Sequence, residues 1–250
     1  MTALDLVFVF LGGLAAGTIN TVVGSGTLIS FPVLLAVGYP PVVANVSNTI
    51  GLVPGSLAGS WGYRRELAGQ GRRISRLLCA SLAGGIVGAV LLLVLPAAAF
   101  KAIVPAFIVV ALVLVVGQPR LSRALVARGR EPDQLGGKGP LAGLFACGVY
   151  GGYFGAAQGI LILALLGFLS HDSLQHANAA KNVLAGATNL VAGIIFALAA
   201  HVDWRAAAVI AAGATFGGLF GARIGRRLSP AALRGVILVV GLAAIAKLVL

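Results

Sequence analysis

Acidic residues are nearly missing from this chain. Six Asp and Glu stand against 18 Lys and Arg in 250 residues, a formal net charge of +12. Charged residues together make up only 10% of the sequence, whereas a soluble domain has about 25%. A water-facing surface cannot be built from so few charges, so an ordinary soluble globule is excluded. Cysteine is scarce too. Cys79 and Cys147 lie in separate apolar runs without CxxC spacing. No disulfide framework and no zinc site follow from them, and both read as small buried hydrophobes. The first apolar run has Asp5 and no Lys or Arg before it, and no clear cleavage site follows. It reads as a retained membrane segment rather than a signal peptide. No phosphate-binding loop is present, so no nucleotide cofactor is expected.

What is present is apolar. Hydrophobic residues make up 59% of the chain and the mean hydropathy is +1.04. The 36 glycines sit inside apolar runs, which suits close helix packing in a bilayer. Ten apolar segments can be read, at roughly 4–22, 25–38, 42–62, 77–96, 101–117, 141–156, 158–170, 177–200, 206–222 and 232–249. A full span needs about 20 residues. The second and seventh are too short. Each follows its neighbour across a glycine-rich break, Gly24-Ser25-Gly26 or Gly155-Ala156-Ala157-Gln158-Gly159. Each pair is either two tilted short helices or a re-entrant hairpin.

The basic residues give an orientation. Arg64, Arg65, Arg72, Arg73 and Arg76 share one loop; Arg120, Arg123, Arg128, Arg130 and Lys138 share another; Arg223, Arg226, Arg227 and Arg234 flank a third. These fourteen fall on one side, against Lys101, Arg205 and Lys247 on the other. The richer side is expected to be cytoplasmic in the cell membrane, with both termini outside. Most of the positive charge is then an orientation signal and an attraction to the lipid bilayer, not a nucleic-acid footprint. Trp61, Tyr63 and Trp204 at span ends read as an interfacial belt.

The chain also repeats. Gly84-Gly85-Ile86-Val87-Gly88-Ala89 matches Gly217-Gly218-Leu219-Phe220-Gly221-Ala222; Gly17 and Gly24 match Gly152 and Gly159; Gly51 matches Gly186. In the first half the loop after the third segment is basic and the next is nearly neutral, and the second half reverses this. Five segments per half, an odd number, produce such an inversion. The expected fold is all-α and polytopic, with about 8–10 helical segments in two inverted-topology repeats. The first repeat is 1–117, a cytoplasmic linker loop is 118–140, and the second repeat is 141–250. Inverted repeats with glycine-broken helices mark secondary transporters, whose site lies where the breaks meet.

At the motif level the chain resembles the TauE/SafE, or sulfite exporter, family of membrane anion permeases. The resemblance rests on the run from Gly17 to Thr27, on Pro32, and on Gly38-Tyr39-Pro40-Pro41-Val42-Val43-Ala44-Asn45. In the second half it rests on Gly151-Gly152-Tyr153-Phe154-Gly155, Ala179-Ala180-Lys181-Asn182 and the run from Gly217 to Ala222. It implies carriage of small sulfur-containing anions, such as sulfite or a sulfonate, across the cytoplasmic membrane.

The residues themselves favour an anion. Cation pumps and proton antiporters usually need an intramembrane carboxylate. Here Asp5, Glu66, Glu131, Asp133, Asp172 and Asp203 are all terminal or in loops. An anion needs donors instead, and broken helices supply free backbone N–H groups at a positive dipole end. The candidate substrate-binding residues are Asn20, Thr21, Ser25, Thr27, Ser47 and Asn48 in the first half and Gln158, Lys181, Asn182 and Asn189 in the second. Lys181 is either a charge partner for the anion or a lysine that snorkels to the cytoplasmic interface. His171, Asp172 and His176 share one short loop that carries a proton or is simply solvated. No enzymatic constellation, metal site or cofactor is expected. The rivals to a secondary carrier are an anion channel and a non-transporting membrane assembly protein.

Overall fold

Apolar periodicity and glycine breaks become ten helices in the computed structural model, which describes residues 1–127, 137–169, 173–224 and 230–249. They are α1 (Ala3–Val22), α2 (Thr27–Ala36), α3 (Pro41–Gly62), α4 (Gly71–Val94), α5 (Ala97–Ala127), α6 (Lys138–Tyr153), α7 (Gln158–Leu169), α8 (Leu174–Ala199), α9 (Trp204–Ile224) and α10 (Pro230–Val249). No strand occurs among the described residues. Among the described residues, five stretches are long and apolar enough to cross a membrane: Ala3–Val22, Gly71–Val94, Ala97–Arg120, Gln175–Ala199 and Trp204–Arg223. Arg128, Arg130, Glu131, Asp133, His171, Asp172, Arg226 and Arg227 lie outside the described residues.

Two helices run past their apolar segments. α4 begins at Gly71, with Arg72, Arg73 and Arg76 in its first turns. α5 continues to Ala127, through the first part of the expected linker loop. Leu, Ala and Arg are strong helix formers whatever the solvent, so hydropathy marks the bilayer and not the helix end.

The short helices fold back. α2 has 10 residues and α7 has 12, about 15 and 18 Å at 1.5 Å per residue, against a hydrocarbon core of about 30 Å. A side chain at Gly12 would meet Val33, and one at Gly26 would meet the Ala16 carbonyl. α2 therefore returns antiparallel along α1. A side chain at Gly143 would likewise meet Leu165, and one at Gly151 would meet Gln158, so α7 returns along α6. Both pairs are helical hairpins with one short arm.

Each hairpin turns through a left-handed residue, Gly24 (φ 92°) or Gly155 (φ 76°), a conformation open to glycine at little cost. Their N–H groups reach back five residues, to the carbonyls of Ile19 and Tyr150. Gly155, not Gly159, is thus the counterpart of Gly24 in the chain path. Ala157 also has a positive φ, 59°, a strained state for an alanine. The Tyr150 hydroxyl donates to the Ala156 carbonyl and holds that turn.

The helix pairs recur in matched form. α1 packs on α9 and α4 on α6; α3 packs on α9 and α4 on α8; α2 meets α10 and α7 meets α5. The first two contacts run through glycine. A Cβ at Gly217 would lie 2.1 Å from the Leu14 carbonyl oxygen, and one at Gly84 would lie 2.1 Å from that of Phe145. The two backbones touch at these points, as small residues permit in membrane helices. Phe31, Phe100, Phe107, Tyr153 and Phe154 pack edge to face, tilted or, for Phe107 on Phe154, stacked, with ring centroids 5.2–6.5 Å apart, on the α2, α5 and α6 side. Trp61 and Trp204 are exposed at helix ends, as an interfacial belt requires. Tyr63 is not: it is buried with Ala179 and Ala222, because it closes the α3–α8–α9 junction.

Candidate functional site

The two hairpin turns meet. Gly159 donates its N–H to the Gly24 carbonyl at 3.1 Å, and neither position has room for a side chain against the other's backbone. Next to this contact in the chain the structure buries Ser25, Thr27 and Gln158, and on α3 it buries Asn48. The Ser25 hydroxyl, both ends of the Asn48 amide and the Gln158 Nε2 are buried without a hydrogen-bond partner. Buried polar groups are normally satisfied, so these stand ready for a ligand or water. The backbone N–H groups of Ser25, Gly26 and Thr27, at the start of α2, also find no partner among the described residues. Hydroxyl, amide and main-chain donors together can bind an oxyanion.

α3 and α8 carry the next layer. Asn45 Nδ2 donates to the Tyr153 carbonyl at 3.0 Å, capping the end of α6. Asn178 Nδ2 donates to the Thr21 carbonyl at 3.3 Å, capping the end of α1. The carbonyl oxygen of each amide is left buried and unpartnered. The two asparagines are 133 residues apart, the same offset that relates Gly84 to Gly217. At that offset Asn48 falls on Lys181. Neither Asn45 nor Asn178 was among the expected site residues, although the offset pairs them.

Lys181 does not snorkel. It is 1% exposed, and its Nζ donates to the carbonyls of Asn20 at 3.0 Å and Thr21 at 3.2 Å. Asn182 Nδ2 reaches the same Thr21 carbonyl at 3.4 Å. The end of α1 thus receives three donors from α8, one of them the Lys181 amine at the negative end of a helix dipole.

The other expected residues divide. Asn20 Nδ2 donates to Ser56 Oγ at 3.3 Å, and Thr21 is buried beside Gly59. Asn189 lies beside the Gly155 turn. Ser47 has a different partner: its Oγ accepts from the Asp203 N–H at 3.0 Å and ties α3 to the start of α9. His176 is exposed and bonded to Ser173, while its loop partners His171 and Asp172 lie outside the described residues. A separate cavity of about 460 Å³ opens at the apolar surface among Leu91, Phe107, Val149, Tyr150 and Tyr153. The buried hydroxyl of Tyr153 has no partner.

Apolar spans, two helical hairpins and a buried polar centre define a polytopic membrane protein of transporter type. The chain belongs to the sulfite exporter TauE/SafE family, whose model matches residues 9–248. It is 28% identical over 251 residues to a probable membrane transporter protein of Haemophilus influenzae, covering 98% of this chain and 94% of that one. It is 25% identical over 245 residues to the probable membrane transporter protein ORF9 of a Sinorhizobium species, covering 95% and 90%. It is 24% identical over 241 residues to the probable membrane transporter protein YfcA of Escherichia coli K12, covering 96% and 87%. No solved structure matches significantly.

Proposed function

We propose that this protein is a secondary carrier or facilitator, not an enzyme, for a small anion such as sulfite, a sulfonate or another organosulfur oxyanion. The observation that carries the reading is the set of buried, unpartnered groups: Ser25 and Gln158 at the touching hairpin turns, and Asn48 on α3. No Asp or Glu is buried among the described residues, which favours an anion over a cation. Ser25, Thr27, Asn48 and Gln158 would contact the substrate. Asn20, Thr21, Lys181, Asn182 and Asn189 would shape the site around the α1 end and the Gly155 turn. Ser47 has its hydroxyl committed elsewhere and would act through the position of α3.

The halves 1–117 and 141–250, joined by 118–140, would be inverted repeats that alternate around the site. The matched helix pairs and the 133-residue offset support that reading. The protein would lie in the cell membrane with its basic loops cytoplasmic and both termini outside. Reporters fused to each terminus test this, and a cytoplasmic signal from either would reverse the orientation.

Purified protein in liposomes, offered labelled sulfite, sulfonates, carboxylates and inorganic anions, tests the function. Saturable uptake of an organosulfur or other oxyanion is expected. Uptake of none by intact protein would favour an assembly role, and transport of Na⁺ or K⁺ would refute the donor argument. Single-channel currents would favour a channel.

A further inference from the structure

One buried amine, that of Lys181, stands in the core without an acidic partner among the described residues. The two hydrogen-bond partners of Lys181 are neutral carbonyls, those of Asn20 and Thr21. An ammonium has three donors, so one remains. The elements packed around this turn of α8 bring the α1 end, Ser56 and Gly59 of α3, and Tyr63 beside Ala179 and Ala222. Leu77, Leu144, Leu163 and Leu166, from α4, α6 and α7, pack with Ala177, Ala180 and Leu184 of α8. Among the described residues, none of these groups is a carboxylate. The corresponding position in the first half is the neutral Asn48. A lone ion in a low-dielectric interior is unfavourable until something of opposite sign joins it.

We propose that Lys181 sets the valence of the substrate: the site takes a singly charged oxyanion in preference to a doubly charged one of the same shape. This rests on the anion-carrier reading above. One entering negative charge balances the ammonium. A second negative charge would find only neutral donors, Ser25, Asn48 and Gln158, and would leave the core with a net negative charge. Sulfonates and hydrogen sulfite are singly charged, whereas sulfate and fully ionised sulfite carry two charges.

Methanesulfonate and sulfate separate the cases, since they differ by a methyl group in place of one charged oxygen. Their binding to the purified full-length protein is compared at neutral pH and equal ionic strength, by calorimetry and thermal shift. Methanesulfonate is expected to bind about tenfold or more tightly than sulfate, a difference of about 1.4 kcal/mol or more. Sulfate binding as tightly or more tightly overturns the proposal and leaves the carrier reading standing. Binding of neither overturns both. Lys181→Gln is expected to erase the preference and Lys181→Arg to keep it. A folded Lys181→Gln protein that still prefers methanesulfonate removes Lys181 as the cause. If the variants do not fold, the wild-type comparison still decides.

Discussion

Gly24 carries two constraints at one residue. Its φ of 92° suits glycine, and a Cβ there would lie 2.7 Å from the Gly159 backbone. Gly24→Ala is therefore expected to destabilise the protein by more than about 1 kcal/mol and to abolish transport. Gly71, which has open space around its Cβ position, is the control: Gly71→Ala should leave melting in detergent and transport unchanged. At Gln158 the expectation concerns binding rather than folding. Gln158→Leu removes a buried donor that has no partner within the protein. Its melting temperature should hold or rise while oxyanion affinity falls about tenfold, the loss expected for about one hydrogen bond to a charged group. An unchanged affinity would remove Gln158 from the site.

The start of α9 shows how one side chain organises an element. Asp203 Oδ1 accepts from the Ala206 N–H at 2.8 Å, while its own N–H donates to Ser47. Asp203→Ala should cost about 1 kcal/mol through the lost cap, read as a lower melting temperature. Asp203 also acts on the turn between α2 and α3. Burial first, and then the hydrogen bond to Asp203, push the Tyr39 phenol up from 10.0 to about 12. Both causes favour the neutral phenol. The folded protein therefore holds that proton more tightly than the unfolded chain, and the associated stability is present below about pH 10 and lost as pH rises toward 12. Asp203→Asn keeps a capping side chain and removes the charge. Ultraviolet titration should then show Tyr39 ionising at lower pH, still above 10.0 because burial remains. No change would mean that Asp203 has no part in it.

The whole molecule depends on backbone contact between the two halves. A Cβ at Gly88 would sit 2.1 Å from the Val149 carbonyl oxygen, forcing α4 and α6 apart. Gly88→Ala should destabilise by about 1–3 kcal/mol, in the range for an overpacked core. Gly235→Ala on α10, with nothing near, should be neutral or slightly stabilising. Equal behaviour of the two variants in thermal melts would show that these crossings do not hold the halves together.

Much of this was legible in the sequence because lipid imposes simple rules. A backbone without water must form helices, so apolar runs located the elements and glycine clusters located the breaks at Gly24 and Gly155. Scarcity of acid inside the runs was equally visible, and it turned the reading toward an anion. The direction of α2 and α7 after the breaks was not visible, since a glycine permits a turn and a kink alike. Packing of Val33 on Gly12 and Leu165 on Gly143 decided it. Nor could the sequence show the depth of Lys181. Its hydropathy neighbourhood suited a snorkelling lysine, but the carbonyls that hold it belong to α1, some 160 residues away. Asn45 and Asn178 were overlooked for the same reason: each caps a helix in the opposite half. Composition and periodicity act locally and through the solvent, so they determined membrane, helices and breaks. Which polar groups are satisfied, and which stay open for a ligand, depends on partners distant in the chain, and only the tertiary structure brings those together.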